Sequence, residues 1–363
     1  MELNVTRTFL PSLEEFAEEL KPLWDSRIVT NMGCKHDAFQ KALENYLGCN
    51  VTLFANGHLA LEAAIRCLGL PQGSEVITSP FTFVSTTHAI VRCGLKPVFC
   101  DVRPQDGTIC PDCIEKLITP STSAILPILV YGNMCEVERI GSIASSHGLK
   151  LLYDAAHAFG VRYKGQSAAC FGDAAILSFH ATKLFSTIEG GAVCYRDDSM
   201  RQSLDDQKNF GIRDTEHCEA IGGNAKMNEL QAAMGICNLR HFPEVLASRK
   251  AITSMYREML KTRPVRPFPL VEDRFTEPNY SYFPVLFDSM AERDKAHTAL
   301  EAAGIGTRKY FWPLTSELGC YKGRFDPGCT PVARNLSSRI LCLPLFPEMT
   351  EEDVRRIVTS LPL

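Results

Sequence analysis

Apolar residues recur along the chain with two different spacings, and the switching between them predicts its elements. Residues 13–23 carry helical spacing, and after a turn at Met32-Gly33 a second amphipathic segment covers 39–47. Val51-Thr-Leu-Phe-Ala reads as a strand that ends in Asn56-Gly57 and runs straight into a helical pattern at Leu59, Leu61, Ile65 and Leu68. Short apolar runs at 75–78, 97–102, 124–131 and 150–153 predict strands. Between them lie helical stretches that end near Arg92 or begin near Pro111 and Val137. This alternation predicts an α/β fold, a mostly parallel sheet with helices on both faces.

The second half keeps the rhythm and then changes it. Strands are expected at 174–177 and 192–196, a helix at 198–207, and a long helical pattern after the turn at 222–228. Pro243 and the prolines at 264, 267 and 269 mark passage into a smaller α/β unit, giving an expected division into residues 1–245 and 246–363. Within that unit Tyr280, Tyr282, Pro284 and Leu286 alternate as a strand, 291–303 reads as a helix, and 340–343 reads as a strand. The last helix opens with Thr350-Glu-Glu-Asp353, a capping box with Asp in place of Glu.

Composition narrows the function classes. The 363 residues can build about two cores, and 45% hydrophobic with 22% charged content is that of a globular protein. Net charge is -4 with Lys and Arg dispersed, so neither nucleic acid nor a membrane surface is an expected partner, and small-molecule chemistry is. Residues 1–30 are broken by Asp25, several glutamates and two prolines, so neither a signal-peptide core nor a membrane span is expected. Fifteen cysteines, scattered singly through apolar runs, fit a reducing cytoplasm. Cys110-Pro-Asp-Cys113 lacks a second pair at zinc spacing, and no metal is expected.

Three places carry candidate chemistry. Ser178 and Lys183 emerge where the strand at 174–177 ends, ahead of Glu189-Gly-Gly191, and open α/β sheets bind ligands at such ends. A lysine there suits pyridoxal phosphate (PLP) held as a Schiff base, although Ser-x4-Lys alone also fits a surface loop. Asp154 ends the strand at 150–153 as the only acid of a long uncharged stretch. It would pair with a pyridinium nitrogen or, alternatively, cap a helix from Ala155. Backbone amides at Asn56-Gly57-His58 would cradle a phosphate if a helix begins there, the competing reading being a hairpin turn. No Gly-x-Gly-x-x-Gly follows a predicted strand, which argues against a nicotinamide enzyme.

Taken together, five stretches carry a resemblance over essentially the whole chain. They are Ala55-Asn-Gly-His-Leu-Ala-Leu-Glu, Ser79-Pro-Phe-Thr-Phe-Val-Ser-Thr, Asp154-Ala-Ala-His-Ala-Phe-Gly, Ser178-Phe-His-Ala-Thr-Lys183 with Glu189-Gly-Gly, and Asn224-Ala-Lys-Met-Asn-Glu-Leu-Gln-Ala-Ala. The sequence resembles the DegT-type sugar aminotransferases of PLP fold type I. That resemblance implies Lys183 as the cofactor-binding, proton-moving lysine, Asp154 at the pyridinium, His157 beside the 3-hydroxyl and Phe83 on the ring face. It implies the amides of Gly57 and His58 with the hydroxyl of Ser178 on the phosphate, and Asn224 reaching the phosphate of a neighbouring subunit in a homodimer. Arg308 and Tyr310 match a motif near the nucleotide sugar, and glutamate is the implied amino donor.

Departures from the family pattern refine this. His58 replaces a usual threonine, and its imidazole N–H could serve the same phosphate. Cys34 follows Gly33 where proline is common. Leu184 replaces a frequent asparagine, and Thr182-Lys-Leu-Phe-Ser-Thr-Ile-Glu-Gly-Gly is similar to enzymes that aminate dTDP-4-dehydro-6-deoxyglucose at carbon 4, as for lipopolysaccharide or antibiotic sugars. Alternatives are amination at carbon 3, a PLP-dependent sugar dehydratase, whose close relatives carry histidine in place of the lysine, and a non-catalytic sensor on the same fold.

Overall fold

The computed structural model describes residues 2–269 and 273–362. In chain order the elements are α1 (Leu13–Ser26), α2 (Cys34–Leu47), β1 (Asn50–Phe54), α3 (Gly57–Cys67), β2 (Glu75–Thr78), α4 (Val84–Arg92), β3 (Lys96–Phe99) and α5 (Pro111–Leu117). Next come β4 (Thr122–Leu126), α6 (Val137–Ser146), β5 (Lys150–Asp154), the two-residue strands β6 (Arg162–Tyr163) and β7 (Gln166–Ser167), β8 (Ala174–Ser178), β9 (Gly191–Tyr195), α7 (Met200–Lys208) and the 32-residue α8 (Glu229–Leu260). The remainder is β10 (Arg266–Pro267), β11 (Thr276–Glu277), β12 (Phe283–Leu286), α9 (Met290–Ala302), α10 (Pro331–Arg339), β13 (Ile340–Leu343) and α11 (Glu351–Ser360).

Seven strands form the main sheet in the order β1-β9-β8-β5-β4-β2-β3. All run parallel except β9, which pairs antiparallel with β1 and β8. The loop from Phe179 to Gly190 explains the exception. It folds on itself through Phe179 N–H to Gly190 O and Thr187 N–H to Phe179 O, so it brings the chain back beside β8 without a crossover helix. Alternate strand residues feed two cores on opposite faces: Leu53, Ile77 and Leu177 join one, Phe54, Val76 and Ile176 the other. Burial on both faces is why these strands read as unbroken apolar runs. Starting from β5, successive neighbours lead to β4 on one side and β8 on the other, so the C-terminal tips of these strands share one crevice.

Four expectations shift. The strand expected at 97–102 ends at Phe99, because the Asp101 carboxylate turns away to accept the N–H groups of Val332 (3.0 Å) and Ala333 (2.8 Å), capping an α10 that the sequence reading missed. The strand expected to reach Tyr131 stops at Leu126, before Pro127, which has no N–H for the ladder, and Tyr131 sits in a turn at φ 57. The aromatic strand is confined to β12, with Tyr280 in the left-handed region at φ 54. Pro243 does not break α8, which runs through it between the buried Phe242 and Val245, so the 245/246 boundary falls inside a continuous helix. A second core draws Ile252, Tyr256 and Leu260 from α8 and Leu3 from the N-terminal segment, onto the sheet β10-β12-β13. The capping box at Thr350 and Asp353 is formed as expected.

Glu229, the first residue of α8, is fully buried. Its carboxylate accepts the N–H groups of Gly33 (2.9 Å), Lys35 (2.7 Å) and His36 (3.3 Å), capping α2 where Gly33 has no side chain to do so. Glu229→Ala would strand those donors, and a loss of about 2–4 kcal/mol in urea unfolding is expected.

Candidate active site

The strand tips, the start of α3 and the segment from Arg308 to Phe311 enclose a cavity of about 670 Å³. Gly57, His58, Phe83, Asp154, His157, Ser178, Lys183, Arg308 and Tyr310 all line it. Asn224 does not. It is exposed, and its Oδ1 accepts a hydrogen bond from Lys226 Nζ at 2.9 Å, so it takes no part in its own chain's cavity.

Asp154 stands at the tip of β5, where pairing with Ile176 of β8 and with Ile128 just beyond β4 has taken it out of water. Its Oδ2 accepts from Thr86 Oγ1 (2.7 Å) and its Oδ1 from the N–H of Ala156 (3.1 Å). Burial raises its pKa, opposed by those two donors and by the Lys183 ammonium. A buried carboxylate held only by neutral donors calls for a cation, and a pyridinium nitrogen suits it. The helix-cap alternative falls away, because residues 155–160 form turns with no helix. Thr86 was not singled out in the sequence, where it falls within the stretch Ser79-Pro-Phe-Thr-Phe-Val-Ser-Thr; its hydroxyl also lies 2.9 Å from that of Thr82, four residues earlier.

Lys183 follows a turn in which its N–H bonds to His180 O, and the hydroxyl of Thr8 secures that turn by donating to Ala181 O (2.8 Å). Burial pushes the amine down to about 8, with Asp154 pulling the other way and the Arg308 guanidinium adding to the fall. An amine near 8 exchanges protons readily at neutral pH. The His157 imidazole is held neutral by burial, with Lys183 adding to the effect. Its Nδ1 accepts the N–H of Tyr131 (3.1 Å), so Nε2 carries the proton.

The helix start is a phosphate cradle in geometry as well as sequence. Asn56 caps α3 by accepting the N–H of Leu59 (2.9 Å), and among the described residues the N–H groups of Gly57 and His58 have no acceptor. Ser178 packs directly against Gly57, where a Cβ would come within 2.8 Å of the serine Cβ. The His58 imidazole corrects an expectation: Nδ1 meets Ser85 Oγ (2.8 Å) and Nε2 meets Glu62 (3.0 Å), so both ring nitrogens are taken and only the backbone N–H remains for an anion. A Cβ on Gly191 would lie 2.6 Å from the backbone of Asn56 and Gly57. Gly191→Ala is therefore expected to push the helix start aside and weaken cofactor binding by about tenfold or more, read by fluorescence titration of the cofactor-free protein.

Phe83 caps α4 and is 55% exposed, presenting its ring to the cavity. Arg308 is set by a two-way backbone bridge to Cys342, and its guanidinium donates to the Tyr310 hydroxyl while lying 5.1 Å from that ring. The stretch after Lys183 is placed differently from what a direct role in sugar choice requires. Leu184, Phe185 and Ser186 face a separate crevice with Phe9, Asn238 and Phe242, and of that stretch only Glu189 reaches the cavity.

Neutral Nε2–H, free helix-start amides, a buried carboxylate and a low-pKa lysine fit PLP at its ring nitrogen, its phosphate and its aldehyde carbon together. The described residues contain no group of three or more His, Cys, Asp or Glu suited to a metal ion, and no helix long and apolar enough to cross a membrane. A family model described as the DegT/DnrJ/EryC1/StrS aminotransferase family matches residues 12–362. The chain is 39% identical over 360 residues to a dTDP-4-amino-4,6-dideoxy-D-glucose transaminase of Shigella dysenteriae, covering 98% of this chain and 97% of that one. It is 40% identical to the protein of the same name from Escherichia coli, covering 99% and 98%. The solved structure of DesI in the presence of its TDP-sugar product superposes with a TM-score of 0.91 at 33% identity, over 99% of this chain and 92% of that chain.

Proposed function

Since the chain belongs to the DegT/DnrJ/EryC1/StrS aminotransferase family, a PLP-dependent family, we propose that it moves an amino group from glutamate to carbon 4 of a dTDP-linked 4-keto-6-deoxy sugar. The observation that carries the reading is the meeting of Lys183, Asp154 and the open helix start of α3 in one cavity. The sugar is argued from the two relatives of 39% and 40% identity and the name they share.

PLP supplies an electron sink that allows a C–H bond next to nitrogen to be broken. The chain's residues do the rest. Asp154 would hold a proton on the ring nitrogen, and His157 Nε2–H would donate to the ring oxygen. The amides of Gly57 and His58 with the hydroxyl of Ser178 would grip the phosphate, and Phe83 would cover one face of the ring. Lys183 Nζ anchors the cofactor between turnovers and carries the proton during them. Arg308, which lines the cavity and donates to the Tyr310 hydroxyl, would face the incoming diphosphate.

A homodimer completes the site, and exposed apolar side chains close in sequence to Glu189, Gln231 and Asn224 support it. Ile188 and Leu230 are exposed on either side of Glu189 and Gln231, which are joined by a 2.8 Å bond from Gln231 Nε2 to Glu189 O, and Ile221 is 97% exposed. Asn224, three residues from Ile221, would enter the partner's cavity. Mixing Lys183→Ala with Asn224→Ala protein should then restore activity at one site per hybrid dimer. No recovery would return Asn224 to its own chain. A cytoplasmic location suits fifteen unpaired cysteines.

The substrate test sets glutamate against 4-keto and 3-keto sugars on dTDP, UDP and GDP, with products identified by NMR. Amination at carbon 4 of the dTDP sugar is expected. Amination at carbon 3, or a strong preference for UDP, overturns the assignment.

A further inference from the structure

The carbonyl of His157 accepts two hydrogen bonds, from Asn279 Nδ2 (2.8 Å) and Ser281 Oγ (3.0 Å). The same Asn279 amide donates to Phe159 O (2.9 Å), and its Oδ1 accepts the N–H of Ser281 (3.1 Å). Both polar ends of a side chain only 1% exposed are thus used, in a space so close that a Cβ on Gly132 would lie 2.6 Å from Asn279 Oδ1. From α8, buried Arg249 donates through Nε to Tyr280 O (2.9 Å) and through Nη2 to Ser281 O (2.6 Å). It holds a turn in which Tyr280 takes a left-handed φ of 54, a conformation a tyrosine rarely adopts unaided. Tyr282 then lays its ring 4.7 Å from the His157 imidazole.

We propose that Asn279, in a turn pinned by Arg249, is a positioning residue that fixes the His157 imidazole, and through it sets the protonation of the cofactor. Asn279 touches no reacting atom. It ties the segment leaving the second core to the residues on either side of Ala158, so that Nε2–H keeps one direction across the cavity. The inference rests on the placement of His157 beside the cofactor oxygen. A donor there favours the deprotonated oxygen, and a displaced donor lets the proton return.

The test is the absorbance of PLP-loaded enzyme without substrate, followed against pH. His157→Phe, which keeps a flat ring and loses the donor, should move the midpoint upward by about one unit, and Asn279→Ala by about half a unit in the same direction. Ser281→Ala, which removes one of the two donors to the same carbonyl, should give a smaller shift of the same sign. Tyr256→Phe removes a buried bond to Pro344 O (2.8 Å) in the same core, without touching the His157 segment, and should lower the melting temperature with the midpoint unmoved. If His157→Phe moves the midpoint while folded Asn279→Ala superposes on the parent, the positioning role is wrong. If His157→Phe leaves it unmoved, the placement of His157 fails and takes this inference with it. Should Asn279→Ala not fold, Ser281→Ala and Arg249→Lys decide by the same criterion.

Discussion

Lys183→Arg is expected to leave the protein folded and to lower transaminase turnover by about 10³–10⁴. The amine is held near pKa 8 by burial and by Arg308, so near neutrality it both gives and takes a proton. A guanidinium stays charged throughout that range and is too weak a nucleophile to anchor the cofactor. Borohydride reduction followed by peptide mapping should label Lys183 in the parent and no lysine in the variant. A label on another lysine would remove Lys183 from its proposed role. The low pKa also predicts a pH dependence in the cofactor-free protein. Between pH 8 and the ordinary lysine value of 10.5 the unfolded chain binds the proton and the folded chain does not, so this group's contribution favours the fold more as pH rises through that window. Lys183→Met should remove that rise from unfolding free energies measured at pH 8 and pH 10.

Asp154→Asn should cost about 10³ in turnover while leaving the cofactor-free fold as stable as the parent or more so. The amide oxygen can still accept from Thr86, so the 2.7 Å bond survives, and loss of the buried charge whose pKa the protein has raised outweighs loss of the 3.1 Å bond from Ala156 N–H, which an amide NH2 cannot accept. What is lost is the carboxylate that holds a proton on the ring nitrogen, and three decades correspond to about 4 kcal/mol of transition-state stabilisation. Stopped-flow half-reactions with glutamate measure the loss. Turnover within a few-fold of the parent would mean that Asp154 is structural.

The parts legible in sequence were those where residue type and position coincide. β2 and β13 have the expected ends because polar or turn residues flank each apolar run, Gly73-Ser74 and Ser79-Pro80 for β2, Arg339 and Pro344 for β13. Ser178, Lys183 and Asp154 stood out as polar groups at the tips of otherwise apolar strands. What escaped was decided by partners far along the chain. α10 starts where it does because Asp101, more than 200 residues earlier, accepts its first N–H groups. The His58 ring looked available until Ser85 and Glu62 took both nitrogens. Arg249 and Asn279 sit in unremarkable stretches, and only the folded turn brings them to His157. Pro243 lies inside α8 because the packing at Phe242 and Val245, of which local propensity says nothing, carries the helix across it.

The inward orientation of Leu184, Phe185 and Ser186 bears on attempts to redesign sugar preference. Ser186 O accepts a 2.8 Å bond from Asn238 of α8, and Phe185 stacks on Phe159 at 4.2 Å between ring centres. A chimera carrying only these three positions from an enzyme with another ring preference would exchange interior packing, not a surface that a sugar meets. To move the loop as a unit, the graft would have to include Asn238 and Phe242 of α8, against which it packs, and Gln231, whose Nε2 holds Glu189 O at 2.8 Å.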